Sequence, residues 1–360
     1  MSSKMRRIGI CMVAVLFCTE VCCQNLLLKA KGGNVEAQYE LATQYYKGIG
    51  QLQSYSSAFV WYKKAAEKNH PASCHAMGEM YEKGLGCSQN ERLAFSYYMQ
   101  AAERGHEKSQ LKVARMFDEG IGVVDNPARA YLWYRICADR NETYACRRIG
   151  DFYMTGTVVD KDLVEARHWY EKAVDGNDVD AMQKLAYIYV IGESVAPDYK
   201  KASELAEVPL KQGLPVAQYV KAFLLENGFA EKKQPAKALE LYKQSAKQGF
   251  VPAKEPVAID RYRKEGMADS LLSLKTIGRT ESYYILGKEY IAGKQTKKNV
   301  KKGLEYLNRA AEASYAEAYL ELGKLYREGK VVRKNIGRAN NYFKDAVDLG
   351  NKEAEQYLKK

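Results

Sequence analysis

The sequence of 360 residues predicts an all-α superhelix (solenoid) of about nine 36-residue helix-turn-helix units, one of them shortened. The first observation is a segment that returns every 36 residues. It reads WYKKAAEKNH, YYMQAAERGH, WYRICADRNE and WYEKAVDGND, beginning at Trp61, Tyr97, Trp133 and Trp169. The second is a set of columns on the same period with the spacing of a helix face, and the third is a glycine that divides each unit.

The first helix of each unit, helix A, is predicted from a column of small residues. The column comprises Ala37, Ser73, Ser109, Ala145, Ala181, Ala217 and Ala253, then Ser282, Ala318 and Ala354. An apolar residue stands four positions later, as Leu41 does, with Gly or Ala beside it. Positions four apart share one helix face, so helix A buries this face, and the small neighbour lets a second helix approach closely. Gly48 and its equivalents then end helix A.

The second helix, helix B, opens with a small residue ten positions after that glycine, such as Ala58. It leads to the aromatic pair and the Ala-Ala of the repeated segment, which lie on one face and pack between successive A helices. The columns divide the chain into a capping helix (24–36), six units (37–252), a degenerate shortened unit (253–281), two units (282–353) and a C-terminal helix stub (354–360). The degenerate unit lacks the glycine turn and the aromatic pair, which predicts a hinge or a local change of curvature.

The first residues, 1–23, have the pattern of a signal peptide. Lys4, Arg6 and Arg7 precede an apolar run over 8–18, and small residues precede the cleavage expected before Gln24. The apolar run is shorter than the ~20 residues of a membrane-spanning helix. The residues before Cys18 fit a lipoprotein processing site poorly. The pattern therefore predicts export, to the periplasm or the medium, without a transmembrane anchor.

The helix A segments resemble those of the Sel-one-like repeat (SLR) family, relatives of the tetratricopeptide repeats. The segments are LATQYYKGIG, MGEMYEKGLG, IGDFYMTGTV, LGKEYIAGKQ and LGKLYREGKV. The resemblance extends from Leu26 to Leu358, except over 253–281. It implies a right-handed superhelix that binds a partner protein or an extended peptide through a concave groove. A bacterial envelope location, and an alternative function as an inhibitor or a binder of peptidoglycan-type polymer, follow from the same resemblance.

Motifs for catalysis or cofactor binding are weak in this sequence. Glycine turns such as Gly48-Ile49-Gly50 follow helices and recur with the repeat, so they are interpreted as helix caps, not phosphate loops. If the helix that begins at Pro71 is continuous, Cys87 lies roughly 20 Å from Cys74, too far for a shared zinc ion. The sequence predicts no enzyme, cofactor or metal, although a site assembled only in space would leave no motif. The formal net charge of +12 favours acidic partners and does not by itself indicate nucleic acid, which is not predicted as a partner.

Four cysteines lie beyond the predicted signal peptide, and two of them bracket one tight connection. Cys137 closes a helix B and Cys146 opens the next helix A, which predicts a disulfide. Cysteine-rich members of the resembled family bridge the same connection, but from the column that here holds Ala138. The connection also contains the glycosylation sequon Asn141-Glu142-Thr143.

Positions two, six and nine after the small column lie opposite the buried face of helix A, and the resemblance places them in the groove. The residues predicted to bind a partner are Tyr187, Tyr219, Phe223, Arg115, Arg147 and Tyr284. The first three are favoured because aromatic residues are enriched at binding surfaces. The alternative is that they only pad adjacent helices.

The excess positive charge is concentrated near the C-terminus. Residues 282–360 contain 17 Lys and Arg against 10 Asp and Glu. Eight basic residues fall at matching positions of three turns between helix A and helix B, and we call them the basic ridge: Lys232, Lys233, Lys294, Lys297, Lys298, Lys330, Arg333 and Lys334. The ridge is predicted to attract an acidic protein or an anionic polymer, and the alternative is a solvated edge that aids solubility.

Overall fold

The computed structural model describes residues 24–265, 280–294 and 296–358, and its regular secondary structure there is entirely helical. The predicted signal peptide lies outside the described residues, as does 266–279 of the degenerate unit. The chain forms two compact halves. The N-terminal half runs to Met182 and includes Glu193–Val195, and the C-terminal half comprises Gln183–Gly192 and Ala196–Lys360.

The N-terminal half begins with a short helix, α1, over residues 24–31. Its A helices are α2 (Val35–Lys47), α4 (Pro71–Lys83), α6 (Glu107–Glu119) and α8 (Thr143–Thr155). Its B helices are α3 (Tyr55–Ala66), α5 (Glu91–Glu103), α7 (Pro127–Ala138) and α9 (Leu163–Asp175). The next A helix, α10 (Val179–Ile191), has residues in both halves.

In the C-terminal half, the A helices are α12 (Pro215–Asn227), α14 (Val251–Glu265), α15 (Thr280–Ala292), α17 (Ala316–Glu328) and α19 (Lys352–Leu358). The B helices are α11 (Tyr199–Lys211), α13 (Pro235–Lys247), α16 (Val300–Glu312) and α18 (Ile336–Asp348). Within each half, helices A and B of a unit pack together, and most B helices also pack on the next A helix. The predicted all-α repeat fold is confirmed. None of the helices in the described ranges is long and apolar enough to cross a membrane.

The Gly or Ala position five residues after the small column of helix A is where the partner helix B comes closest. A Cβ atom added at Gly78 would lie 2.6 Å from Cδ1 of Tyr98, and one at Gly150 would lie 2.6 Å from Cε1 of Tyr170. Both tyrosines are buried. The close approach predicted from the alternation of small and aromatic columns is therefore present in the second and fourth units.

The glycine after helix A adopts the left-handed conformation expected of a helix cap. Gly84, for example, has φ of 68°, and its N–H donates to the carbonyl of Met80. The second glycine of the turn has another role. A Cβ at Gly122 would lie only 2.2 Å from the carbonyl oxygen of Glu91, the first residue of the preceding helix B. The GxG pattern therefore combines a cap with a close contact between successive turns.

The degenerate unit contributes one helix, α14, to the described residues. Pro256 lies inside this helix, and the side chain of Glu255 accepts hydrogen bonds from the backbone N–H and the hydroxyl of Ser282, at 3.2 and 2.7 Å. Tyr262 donates to Glu289 across the same pair of helices, at 2.9 Å. Helix α14 therefore packs on α15, and the predicted hinge or change of curvature stays a prediction.

Candidate partner-binding surfaces

The predicted groove positions of the N-terminal half lie close to helix B, and several of their side chains form hydrogen bonds with it. Glu82 accepts a hydrogen bond from the hydroxyl of Tyr98 at 2.7 Å and pairs with Lys112 of the next unit at 2.6 Å. One unit later, Asp118 accepts from Tyr134 at 3.1 Å and from Nε and Nη2 of Arg148, both at 3.0 Å. We call each such tyrosine, acid and base a clip, because it ties two successive units together.

These clips were not predicted, although the sequence carries a signal for them. The acid stands nine positions after the small column, and the base stands three positions after the small column of the next unit, 30 residues later. Arg148 also donates to Asp151 at 2.8 Å. Burial opposes its charge, yet the carboxylates of Asp118 and Asp151 raise the pKa of Arg148 above its usual value. This arginine is therefore a structural cation.

The two arginines predicted to bind a partner lie over one aromatic ring. The guanidinium groups of Arg115 and Arg147 are 5.3 and 4.7 Å from the centre of the Tyr144 ring. The side chain of Arg147 is only 14% exposed and pairs with Asp178 at 3.0 Å, so most of its charge is neutralised inside the protein. Arg115 is 47% exposed and pairs with Glu119 at 3.4 Å. Of the two, Arg115 is the accessible one.

Three histidines lie at the starts of two successive A helices. His70 and His106 cap these helices through Nδ1, which accepts from the N–H groups of Ser73 and Ser109. His75 shares the Ser109 hydroxyl with His106, at Nδ1 to Oγ distances of 2.9 and 3.0 Å. Burial lowers the pKa of His75 to about 4, and burial also lowers the pKa of His106. The arrangement holds the second and third units together with neutral imidazoles.

The aromatic residues favoured for binding in the C-terminal half divide into two environments. Tyr219 is 7% exposed and belongs to the core with Ala222 and Tyr242, which favours the alternative that it pads adjacent helices. Tyr187 is half-buried against this core, with its ring 5.7 Å from Tyr219 and 5.6 Å from Phe250. The physical reason is that Phe250, from the turn before α14, covers both rings, and the period alone does not reveal this contact.

Phe223 lies in a separate aromatic cluster. Its ring is 6.3 Å from Tyr199, at the start of α11, and 6.1 Å from Phe229, in the turn after α12. Tyr199 and Phe229 stack at 4.1 Å with an angle of 8° between the rings. All three side chains are half-buried. Further along the chain, Tyr284 is also half-buried, with the ammonium of Lys288 5.1 Å from the centre of its ring.

All eight side chains of the basic ridge are exposed. They lie in the turns between α12 and α13, between α15 and α16, and between α17 and α18. Lys330 is 3.6 Å from Glu328, and none of the other seven forms an ion pair with a carboxylate in the described part of the chain. Lys233, Lys298 and Lys334 occupy equivalent places, because the Cβ of each lies beside the glycine that ends helix A of its unit.

The predicted disulfide is absent from the structure, where Cys137 and Cys146 are both buried free cysteines. The sulfur of Cys146 lies 3.7 Å from the carbonyl oxygen of Ala138. Successive helical residues point about 100° apart, so a cysteine one position before Ala138 faces elsewhere. Burial raises the pKa of each thiol to about 11. In the same connection, Asn141 is exposed and has φ of 59°.

The profile of the Sel1 repeat matches the chain eight times. The matched residues are 35–70, 71–106, 107–142, 143–178, 179–207, 215–250, 280–315 and 316–351. The chain belongs to the Sel1 repeat family, as the resemblance in the sequence predicted. Members of this family are generally noncatalytic scaffolds that mediate protein interactions. The segment between residues 250 and 280 is not matched, in agreement with its degenerate pattern.

Two solved structures show how far the similarity extends. A protective antigen of uropathogenic Escherichia coli strains, which displays an SLR fold, is 25% identical, with 93% of this chain and 81% of the antigen covered and a TM-score of 0.58. A Sel1 repeat protein of Oxalobacter formigenes is 21% identical, with 96% and 92% covered and a TM-score of 0.49. No curated protein matches the sequence significantly.

Proposed function

We propose that this Sel1 repeat protein is an exported, noncatalytic scaffold that binds an acidic segment of a partner protein along its basic ridge. The observation that carries the proposal is the exposure of eight basic side chains in register, seven of them without an ion pair to a described carboxylate. Elsewhere the protein neutralises its buried cations, as Arg147 and Arg148 show. A row of uncompensated charge raises the association rate of an oppositely charged partner and loses this effect as salt screens it.

The ridge is tested by reversing its charge without disturbing the helices. The ridge variant carries Lys297→Glu, Lys298→Glu, Arg333→Glu and Lys334→Glu. The control variant changes the net charge equally with Lys237→Glu, Lys243→Glu, Lys301→Glu and Lys344→Glu, four exposed lysines of the B helices in the same half. Wild type and both variants are immobilised and incubated with a bacterial envelope extract.

The proposal expects one protein that wild type and control retain and the ridge variant loses. The association rate of that protein should fall at least tenfold in the ridge variant and decrease with ionic strength between about 50 and 500 mM salt in the wild type. An unchanged association rate and salt dependence in the ridge variant would show that the ridge is solvated surface and does not bind the partner. Retention of a sugar polymer in place of a protein would favour the alternative function, binding of a peptidoglycan-type envelope polymer.

Export is the second part of the proposal and is supported by the signal-peptide pattern of residues 1–23. Expression of the full sequence in a bacterium followed by fractionation should place the protein outside the cytoplasm. The mature N-terminus should be Gln24 by mass spectrometry. An uncleaved chain that stays in the cytoplasm would remove export from the proposal and leave the ridge as a cytoplasmic surface.

A further inference from the structure

The turn between α12 and α13 differs from the other ridge turns in the residue that follows its first glycine. Phe229 follows the glycine that ends α12, and the equivalent position holds Lys294 and Lys330 in the other two ridge turns. In the first three units this column holds Ile49, Leu85 and Ile121, and in the fourth it holds Thr157. The column therefore accepts aliphatic, polar and charged side chains, so packing does not demand an aromatic ring there.

The Phe229 ring is held in place by two other aromatic residues. It stacks on Tyr199 at 4.1 Å and lies 6.1 Å from Phe223, which occupies a predicted groove position of α12. The three half-buried rings, which we call the aromatic triad, connect the A-helix face with the turn that carries Lys232 and Lys233. Stacked rings of this kind lose little conformational freedom when they bind another apolar group.

The turn that carries Phe229 has a net positive charge. Glu231 is the acid of this turn, and its carboxylate is paired with Lys221 of α12. Lys232 and Lys233 are exposed and have no ion pair with a carboxylate among residues 24–265, 280–294 and 296–358. These two uncompensated lysines follow Phe229 by three and four residues in the same turn.

We propose that the aromatic triad is an anchor pocket at the start of the basic ridge, and that the partner is an acidic peptide segment carrying one aromatic residue. The aromatic side chain packs against Phe229 and Tyr199, and the flanking carboxylates pair with Lys232 and Lys233. This inference rests on the proposed function of the ridge. It adds the requirement that the acidic segment of the partner contain an aromatic residue, because charge alone attracts any acidic segment.

The probes for the test are two labelled ten-residue peptides of equal charge. Each consists of glutamates around one central residue, which is tryptophan in the first peptide and alanine in the second. The variant is Phe229→Thr, which places in this turn the residue that the fourth unit has at the same column, Thr157, and leaves the charge unchanged. The control is Ile121→Thr, which places threonine at the same column of a turn in the N-terminal half that has no lysine pair.

In fluorescence polarisation, the wild-type protein and the control should bind the tryptophan peptide about tenfold more tightly than the alanine peptide. Phe229→Thr should bind the two peptides equally. Equal, salt-dependent binding of both peptides by the wild type would overturn the anchor and leave the ridge proposal standing. No binding of either peptide at low salt would overturn both.

A measurement on the wild-type protein keeps the test independent of the variant's folding. The central tryptophan is replaced by the photoreactive residue benzoylphenylalanine, and the crosslinked peptide is mapped by mass spectrometry. Crosslinks to residues 199, 223 and 229 or to the adjacent turn support the anchor pocket. Crosslinks confined to another part of the chain would overturn it even if binding is tight.

Discussion

The clip between Asp118 and Arg148 gives the sharpest prediction for stability. The side chains are 13% and 25% exposed, and Arg148 makes two bonds to Asp118 and a third to Asp151. Arg148→Met leaves Asp118 without its cation, whereas Asp151 still lies 3.7 Å from Arg147. Removing one partner of a buried pair costs about 3–5 kcal/mol, and residual solvent contact favours the lower limit, about 3 kcal/mol. At about 2–4 °C for each kcal/mol, the melting temperature should fall by about 6–12 °C.

The matched control is Lys112→Met, at the same column one unit earlier. Lys112 pairs with Glu82 at 2.6 Å, but the side chains are 32% and 34% exposed, so its loss should cost less than about 1 kcal/mol. Thermal unfolding of the full chain, followed by circular dichroism at the helical band, measures the loss of stability in both variants. Asp118→Asn added to Arg148→Met should recover part of the loss, because it removes an unpaired carboxylate. Equal losses in the two single variants would refute the argument that burial sets the strength of the clip.

Three further predictions concern pH, the turns and the core. Burial lowers the pKa of His75 to about 4 and also lowers the pKa of His106. The stability that the two neutral histidines contribute is therefore present above the unfolded pKa of 6.5 and is lost as pH falls toward 4. Urea unfolding should show a loss of about 2 kcal/mol over this interval, and a flat profile would contradict the sharing of one serine hydroxyl by neutral imidazoles. Gly105→Ala should lower the free energy of unfolding by roughly 1–2 kcal/mol, and Gly122→Ala should lower it by at least twice as much. Both glycines have positive φ, but a Cβ at Gly105 meets no atom within 4 Å. Equal melting temperatures of the two variants would exclude a tight contact at Gly122. Tyr219→Ala should destabilise by about 3–5 kcal/mol in the same assay, and a loss below ~0.5 kcal/mol would contradict its burial.

The sequence alone determined the repeat, the class of fold and the close approach of helix B to the small residue of helix A. These features are local, because a glycine that ends a helix or a small residue opposite an aromatic one acts through the backbone within a single 36-residue unit. The exposure of the basic ridge was predictable for the same reason, since the turns between helix A and helix B lie at the surface whatever their neighbours are.

The fate of individual side chains was decided by tertiary structure. Tyr219 and Phe223 are both groove positions of one helix, yet Phe250 covers the first and leaves the second in a half-buried cluster. Cys137 and Cys146 are buried free cysteines in the structure, and one helical position separates Cys137 from the column at Ala138, a rotation of about 100°. The clips join residues 30 positions apart. Contacts such as those of Phe250 and the clips join residues about 30 positions apart, and a repeating pattern does not state which of these side chains will meet.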